Sequence, residues 1–227
     1  MSGNTWRRWA SALVLGTALL LPASAQELRP PDLDVQFHRA ETAWKSGASV
    51  LEAKARVDRV LNGRPNDSEA LKLRAQILMS MDRHGEALRD AKQAVQLAHD
   101  DGEAYLILSE AARLSGEQNL AVESLDAAAG RVMEDAEFHI RLSWNAALLG
   151  QLDRSEAYAR IALALDPLRA PAYYQLARVF VRKEQLDDGA AILERGLRQE
   201  LLDPLVIESD TLLSRLAAHD ALAGLLE

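Results

Sequence analysis

The sequence predicts an all-α chain: a solenoid of five helical hairpins closed by a C-terminal capping helix. Three observations predict it. A period of 34 residues runs from Asp34 to Asp203, columns of small residues are locked to that period, and the composition is rich in Ala, Leu, Glu and Arg but only 5% aromatic, which leans towards helix. Frames stepped by 34 start at Asp34, Ser68, Gly102, Ala136 and Ala170, giving repeats 34–67, 68–101, 102–135, 136–169 and 170–203. Repeats of this length are the signature of stacked supersecondary units.

Within the frames, position twenty is Ala53, Ala87, Ala121, Ser155 and Gly189, and position twenty-seven is Val60, Ala94, Ala128, Ala162 and Gly196. Position eight is Glu41, Ala75, Ser109, Ser143 and Ala177. Antiparallel helices approach closely only where side chains are small, so these columns mark the contact points of a hairpin. Larger residues fill complementary columns: Phe37, Leu71, Tyr105, His139 and Tyr173 at position four, and Trp44, Leu78, Ala112, Ala146 and Phe180 at position eleven. Positions four, seven, eight and eleven share one helical face, as do twenty, twenty-four and twenty-seven. Turn residues such as Ser46-Gly47, Ser115-Gly116 and Gly150 separate the two stripes.

Small residues at eight, twenty and twenty-seven, an aromatic or Leu at four and eleven, and Pro65 and Pro167 at position thirty-two make the chain resemble the tetratricopeptide-repeat (TPR) family. The resemblance implies a right-handed superhelix whose first helices line a concave groove. Glu41 at a small position and His139 at an aromatic one depart from the pattern, and Lys45, four residues after Glu41, is placed to pair with it. Segment 204–227, with Leu212, Leu213, Leu216, Leu222, Leu225 and Leu226 among polar residues, is the expected cap over the last repeat.

The start of the chain has the three parts of a secretory signal. Arg7-Arg8 is followed by the apolar run Trp9 to Leu21 and by Ala23-Ser24-Ala25, so cleavage is expected after Ala25, with 26–33 a short linker. The apolar run is shorter than the roughly 20 residues that span a bilayer, so no integral span remains after cleavage. The reading places the protein in the periplasm or outside the cell. Cleavage removes two arginines and no acid, taking the net charge from -8 to -10. That balance disfavours nucleic acid and anionic lipid as partners.

The chain has no cysteine, which excludes disulfides, thiolate metal sites and a cysteine nucleophile. No phosphate loop, nucleophile elbow or zinc-protease helix occurs. His38 and Glu41 share a helical face without a third ligand nearby, and Asp100-Asp101 and Asp187-Asp188 read as turn residues. Repeats and cap occupy 34–227, so the reading is non-catalytic, with no cofactor and no metal.

What remains is the groove. The resemblance points positions two, five, six, nine, twelve and thirteen inwards, which collects Leu106, Ile107, Ile140, Trp144 and Tyr174 as an apolar floor, with Arg113, Arg141 and Arg178 at its edge. Leu114, Leu148 and Arg182 fall in the same columns. This set suits a peptide or helix carrying apolar anchors and acidic residues, held by an envelope scaffold that supports an assembly, secretion or polysaccharide-export system. A self-associating array and a regulatory subunit of an envelope enzyme are the alternatives. Intact-mass measurement on the exported protein should give a chain starting at Gln26; residues 1–25 still attached would overturn the signal reading.

Overall fold

In a computed structural model, residues 32–131 and 133–226 are described, and the expected export signal, residues 1–25, lies outside them. The described residues hold eleven α-helices and no strand. They pair as α1 (Leu33–Lys45) with α2 (Val50–Gly63), α3 (Ser68–Ser80) with α4 (His84–Leu97), α5 (Gly102–Leu114) with α6 (Gln118–Ala129), α7 (Ala136–Leu148) with α8 (Leu152–Leu165), and α9 (Ala170–Arg182) with α10 (Leu186–Arg198). A short α11 (Pro204–Ser209) follows. None of these helices is long and apolar enough to cross a membrane.

Helix starts are set by a ladder of aspartates one repeat apart. Asp67, Asp101, Asp135 and Asp203 each accept a hydrogen bond from a backbone N–H in the first turn of α3, α5, α7 and α11. Such a cap contributes about 1 kcal/mol. At the station before α9 the chain has Arg169, which makes no side-chain cap, and a proline in the first turn takes over the start. The hairpin turns need one left-handed residue: Gly116 (φ 80°) and Gly150 (φ 78°) supply it, whereas Asp82 (φ 58°) and Glu184 (φ 59°) adopt it without glycine.

The small columns are where the hairpins close. Ser109 Oγ donates to the carbonyl of Ala121 at 2.6 Å, joining position eight to position twenty. In the next repeat Ser143 and Ser155 each donate to the other's carbonyl, at 2.8 and 2.7 Å. Buried hydroxyls thus satisfy themselves where alanine would otherwise stand. Glu41, the departure at position eight, stays partly exposed and accepts from Lys45 Nζ at 2.7 Å. His139, expected in the position-four core column, is only half-buried, with Nε2 3.0 Å from the Met133 carbonyl. Its neighbour Phe138 is the buried ring of α7, because Gly102 in the preceding repeat leaves room for it: a Cβ there would sit 3.3 Å from Phe138 Cζ.

The cap takes a bent form. After α11 the chain breaks at Asp210, whose carboxylate accepts from the N–H groups of Leu212 and Leu213 and from Arg178, and it continues as two 3-10 turns, Leu213–Leu216 and Asp220–Leu222. Leu213, Leu216 and Leu222 are buried against Leu193 and Leu197 of α10. A Cβ on Gly189 would stand 3.1 Å from Leu216 Cδ1, and one on Gly196 would stand 2.6 Å from Leu202 Cδ1. Gly196→Ala should therefore destabilise by about 1 kcal/mol or more despite the roughly 1 kcal/mol that alanine gains in a helix, because overpacking outweighs propensity. Gly85→Ala, with nothing within 4 Å of its Cβ, should instead stabilise by about 0.5 kcal/mol. Urea midpoints of the two variants moving the same way would contradict this packing.

Candidate binding groove

The first helices α1, α3, α5 and α7 enclose a cleft of about 420 Å³. Its apolar floor is Phe37, Trp44, Leu73, Ile107 and Phe138, and Gln76 lies among them. Five carboxylates, Glu41, Glu69, Glu103, Asp135 and Glu137, outnumber three cations, Lys45, Lys72 and Arg141. Each cation already has a carboxylate partner: Lys45 has Glu41, Lys72 has Glu69 and Asp101, and Arg141 has Glu103 and Glu110.

Arg141 is the centre of this network. Its Nη2 reaches both oxygens of Glu110, at 2.9 and 3.0 Å, while Nη1 is bonded to Glu103. Burial works against the guanidinium charge, but the two carboxylates outweigh it and hold Arg141 above its ordinary range. Burial pushes the Glu110 carboxyl up, further than Arg141 holds it down. Arg113 donates from Nε to Asn145 Oδ1 at 3.0 Å, and burial lowers its pKa. Asn145 in turn donates to Ser109, so Arg113 is tied through two buried side chains to the hairpin contact itself.

Three residues along α7 from Arg141 stands Trp144, 46% exposed, with the Arg178 guanidinium 5.8 Å from its ring centroid. Leu148, one turn further, and Leu114, at the matching place on α5, are also exposed. Arg182 donates to the carbonyl of Ala147 at 3.0 Å beside them. A narrow indentation between Trp144, Ala147, Gln175 and Val179 completes this second, apolar part of the groove.

The eight residues expected to form the groove thus divide. Trp144 presents its ring to solvent, and Arg113, Arg141, Tyr174 and Arg178 are partly exposed. Leu106 and Ile140 are not groove anchors: Leu106 packs with Leu125, Phe138 and Leu142, and Ile140 with Ala162 and Ala172. Ile107 lines the cleft only as a closed floor, 1% exposed. The physical reason is that these positions lie in the seams between successive first helices, where Leu106 and Ile140 at position five are covered by the next repeat and Ile107 at position six by the preceding one. Arg141 and Arg178 are also not free to orient an acidic ligand, since Arg178 donates to Asp210 at 2.9 and 2.7 Å. The Tyr174 hydroxyl is bonded to the backbone of Asp203. Sequence reading missed Glu110 and Glu103 as partners of Arg141 because they lie 31 and 38 residues away.

Comparison with solved structures finds TPR proteins. The thermophilic TPR protein TTC0263 of Thermus thermophilus aligns with TM-score 0.64 and 25% identity over 84% of this chain and 99% of that one. PilW, a widely conserved type IV pilus biogenesis factor, aligns with TM-score 0.67 and 21% identity over 84% of this chain and 86% of its own. YrrB, a TPR protein with an unusual peptide-binding site, gives TM-score 0.53 and 18% identity over 82% and 91%. No protein-family model and no curated protein matches the chain.

Removing Arg141 takes away the cation that is bonded to both Glu103 and Glu110. Arg141→Ala should cost about 2 kcal/mol at pH 7, less than a fully buried pair because the site is partly wet. A raised folded-state pKa at Glu110 means its contribution is favourable below the unfolded value and is lost as pH rises through the folded one. The variant's deficit should thus shrink between pH 7 and pH 4. Melting temperatures showing a deficit independent of pH would refute the network's role.

Proposed function

We propose that this chain, a TPR solenoid by fold, is a non-catalytic scaffold of the bacterial periplasm or cell envelope that holds a segment of a partner protein in the groove of its first helices. The observation that carries the proposal is Trp144, a large aromatic left 46% exposed at an inward column, with exposed Leu148 one turn further along α7 and exposed Leu114 at the matching place on α5. Monomers seldom leave such a cluster open without a use, and Trp is the residue type that most often dominates a binding hot spot.

The charge pattern sets the chemistry of the segment. The arginine-rimmed columns by themselves predict an acidic peptide, but Arg141 and Arg178 are neutralised from within, and the adjoining cleft has an excess of carboxylates. The better occupant places an apolar side chain on Trp144 and basic or neutral polar residues in the cleft beside Glu69, Glu103 and Glu137. The signal expected from residues 1–25 supports an envelope location, and the likeness in fold to PilW supports service to an envelope assembly such as a pilus, secretion or polysaccharide-export system. The likeness to YrrB supports peptide capture.

Trp144→Ala should weaken capture of the partner by roughly 30-fold, the equivalent of a hot-spot loss of about 2 kcal/mol, with the melting temperature unchanged. Affinity purification from envelope extracts with mass spectrometry identifies the partner, and calorimetry against its isolated segment measures the change. Unaltered affinity in a folded variant would place binding elsewhere.

A further inference from the structure

Four arginines stand around the apolar shelf at Trp144, and they fall into two kinds. Arg141 is bonded to Glu103 and Glu110, and Arg178 to Asp210. Arg113 and Arg182 bond to no carboxylate among the described residues. Arg113 reaches from α5 and donates from Nε to the Asn145 side chain at 3.0 Å, and Arg182 reaches from α9 and donates from Nη1 to the Ala147 carbonyl at 3.0 Å. Because α7 packs against both α5 and α9, the two guanidinium groups approach its last turns from opposite sides, with Trp144 and Leu148 between them. Burial disfavours the Arg113 charge, and only the field of Glu110 opposes that. A partly buried cation without a bonded anion is costly, and an arriving carboxylate relieves the cost.

A neutral acceptor is left open beside them. Gln175 of α9 is 2% exposed and lines the indentation next to Trp144, Ala147 and Val179. The Ser143 hydroxyl donates to the Ser155 carbonyl at 2.8 Å, so it must accept from Gln175 Nε2, 3.2 Å away. That contact fixes which end of the amide is which. Gln175 Oε1 then has no hydrogen-bond partner among the described residues, whereas buried polar groups are normally paired.

Granted Trp144 as the anchor of the groove, we infer that the shelf selects an extended segment of the partner in which an apolar residue is flanked on both sides by Asp or Glu. The apolar side chain lies on Trp144, a backbone N–H donates to Gln175 Oε1, and the flanking carboxylates pair with Arg113 and Arg182. Charge complementarity chooses this occupant: two guanidinium groups on opposite sides of one helix call for two carboxylates, and a single chain-terminal carboxylate supplies one. First helices pack about 10 Å apart and an extended chain advances about 3.3 Å per residue, so the acids fall within about three residues of the anchor.

Calorimetry on the whole chain with capped synthetic peptides tests the pairing. In one panel a central Phe is flanked on each side by Glu at a spacing of one to three residues; a second panel has Gln for Glu; a third has Gln and ends in a free carboxylate after the Phe. The best Glu peptide should bind with Kd on the order of 100 µM, at least about 10-fold tighter than its Gln counterpart. Arg113→Gln and Arg182→Gln should each cut that preference to about 3-fold and together abolish it. Arg182 is exposed, so Arg182→Gln carries the test even where Arg113→Gln disturbs the fold. Peptides that need Trp144 but bind equally with Glu or Gln overturn the acidic flanks and leave Trp144 as anchor. Tighter binding of the free-carboxylate panel assigns the site to a chain end and equally overturns them. Binding that Trp144→Ala leaves unchanged, or no binding at about 1 mM, removes the anchor and the inference with it.

Discussion

Two antiparallel helices approach most closely where only small side chains stand between them. Here that condition is met where position eight meets position twenty: Ala75 and Ala87, Ser109 and Ala121, Ser143 and Ser155, and Ala177 and Gly189 are all buried. The rest of the chain depends on this contact. It draws the second to fifth hairpins shut, while Glu41 holds position eight in the first, and the larger residues of positions four, seven and eleven are turned towards neighbouring hairpins, where they make clusters that cross from one repeat to the next. Stability in such an array is a sum of repeat and nearest-neighbour terms, so a fault in one hairpin is felt mainly by its neighbours.

Polar contacts follow the same one-repeat step. Arg113 to Asn145, Arg169 to Glu137, Arg178 to Asp210 and His219 to Asp187 each span 32 residues, and Arg141 to Glu110 spans 31. Exposed pairs among them contribute little individually. The partly buried ones specify which repeat stands next to which, and the pairs at Asp210, Arg215 and His219 fasten the cap to the fifth repeat. The cap's leucines provide the apolar cover, and glycines at 189 and 196 make the space for it and for Leu202.

The two faces of the solenoid differ in how their charges are arranged. Within the groove, cations and carboxylates neutralise one another across first helices, leaving an acidic cleft next to an apolar shelf at Trp144. On the outside, the fourth repeat alone is apolar at all of positions twenty-two, twenty-six, twenty-nine, thirty and thirty-three, beside the exposed charges of Asp153 and Arg160.

Repeat length, hairpin number and small-residue columns were legible in the amino-acid order, because the closeness of two helices within a hairpin depends on residues a fixed, short distance apart in the chain. The aspartate caps at 67, 101 and 135 follow the same local logic. Ser109, Ser143 and Ser155 could be read as small, and the structure adds that their hydroxyls are spent on the hairpin itself. Whether Leu106 or Ile140 meets solvent was decided by tertiary structure, since each is covered by side chains such as Phe138 and Ala172 from the neighbouring element. The same holds for Arg141 and Arg178: their charges are visible in the letters, but the carboxylates that claim them lie about one repeat away. Periodicity is a property of the chain taken one residue at a time; burial and charge neutralisation belong to the seams between repeats, and only the folded array brings both sides of a seam together.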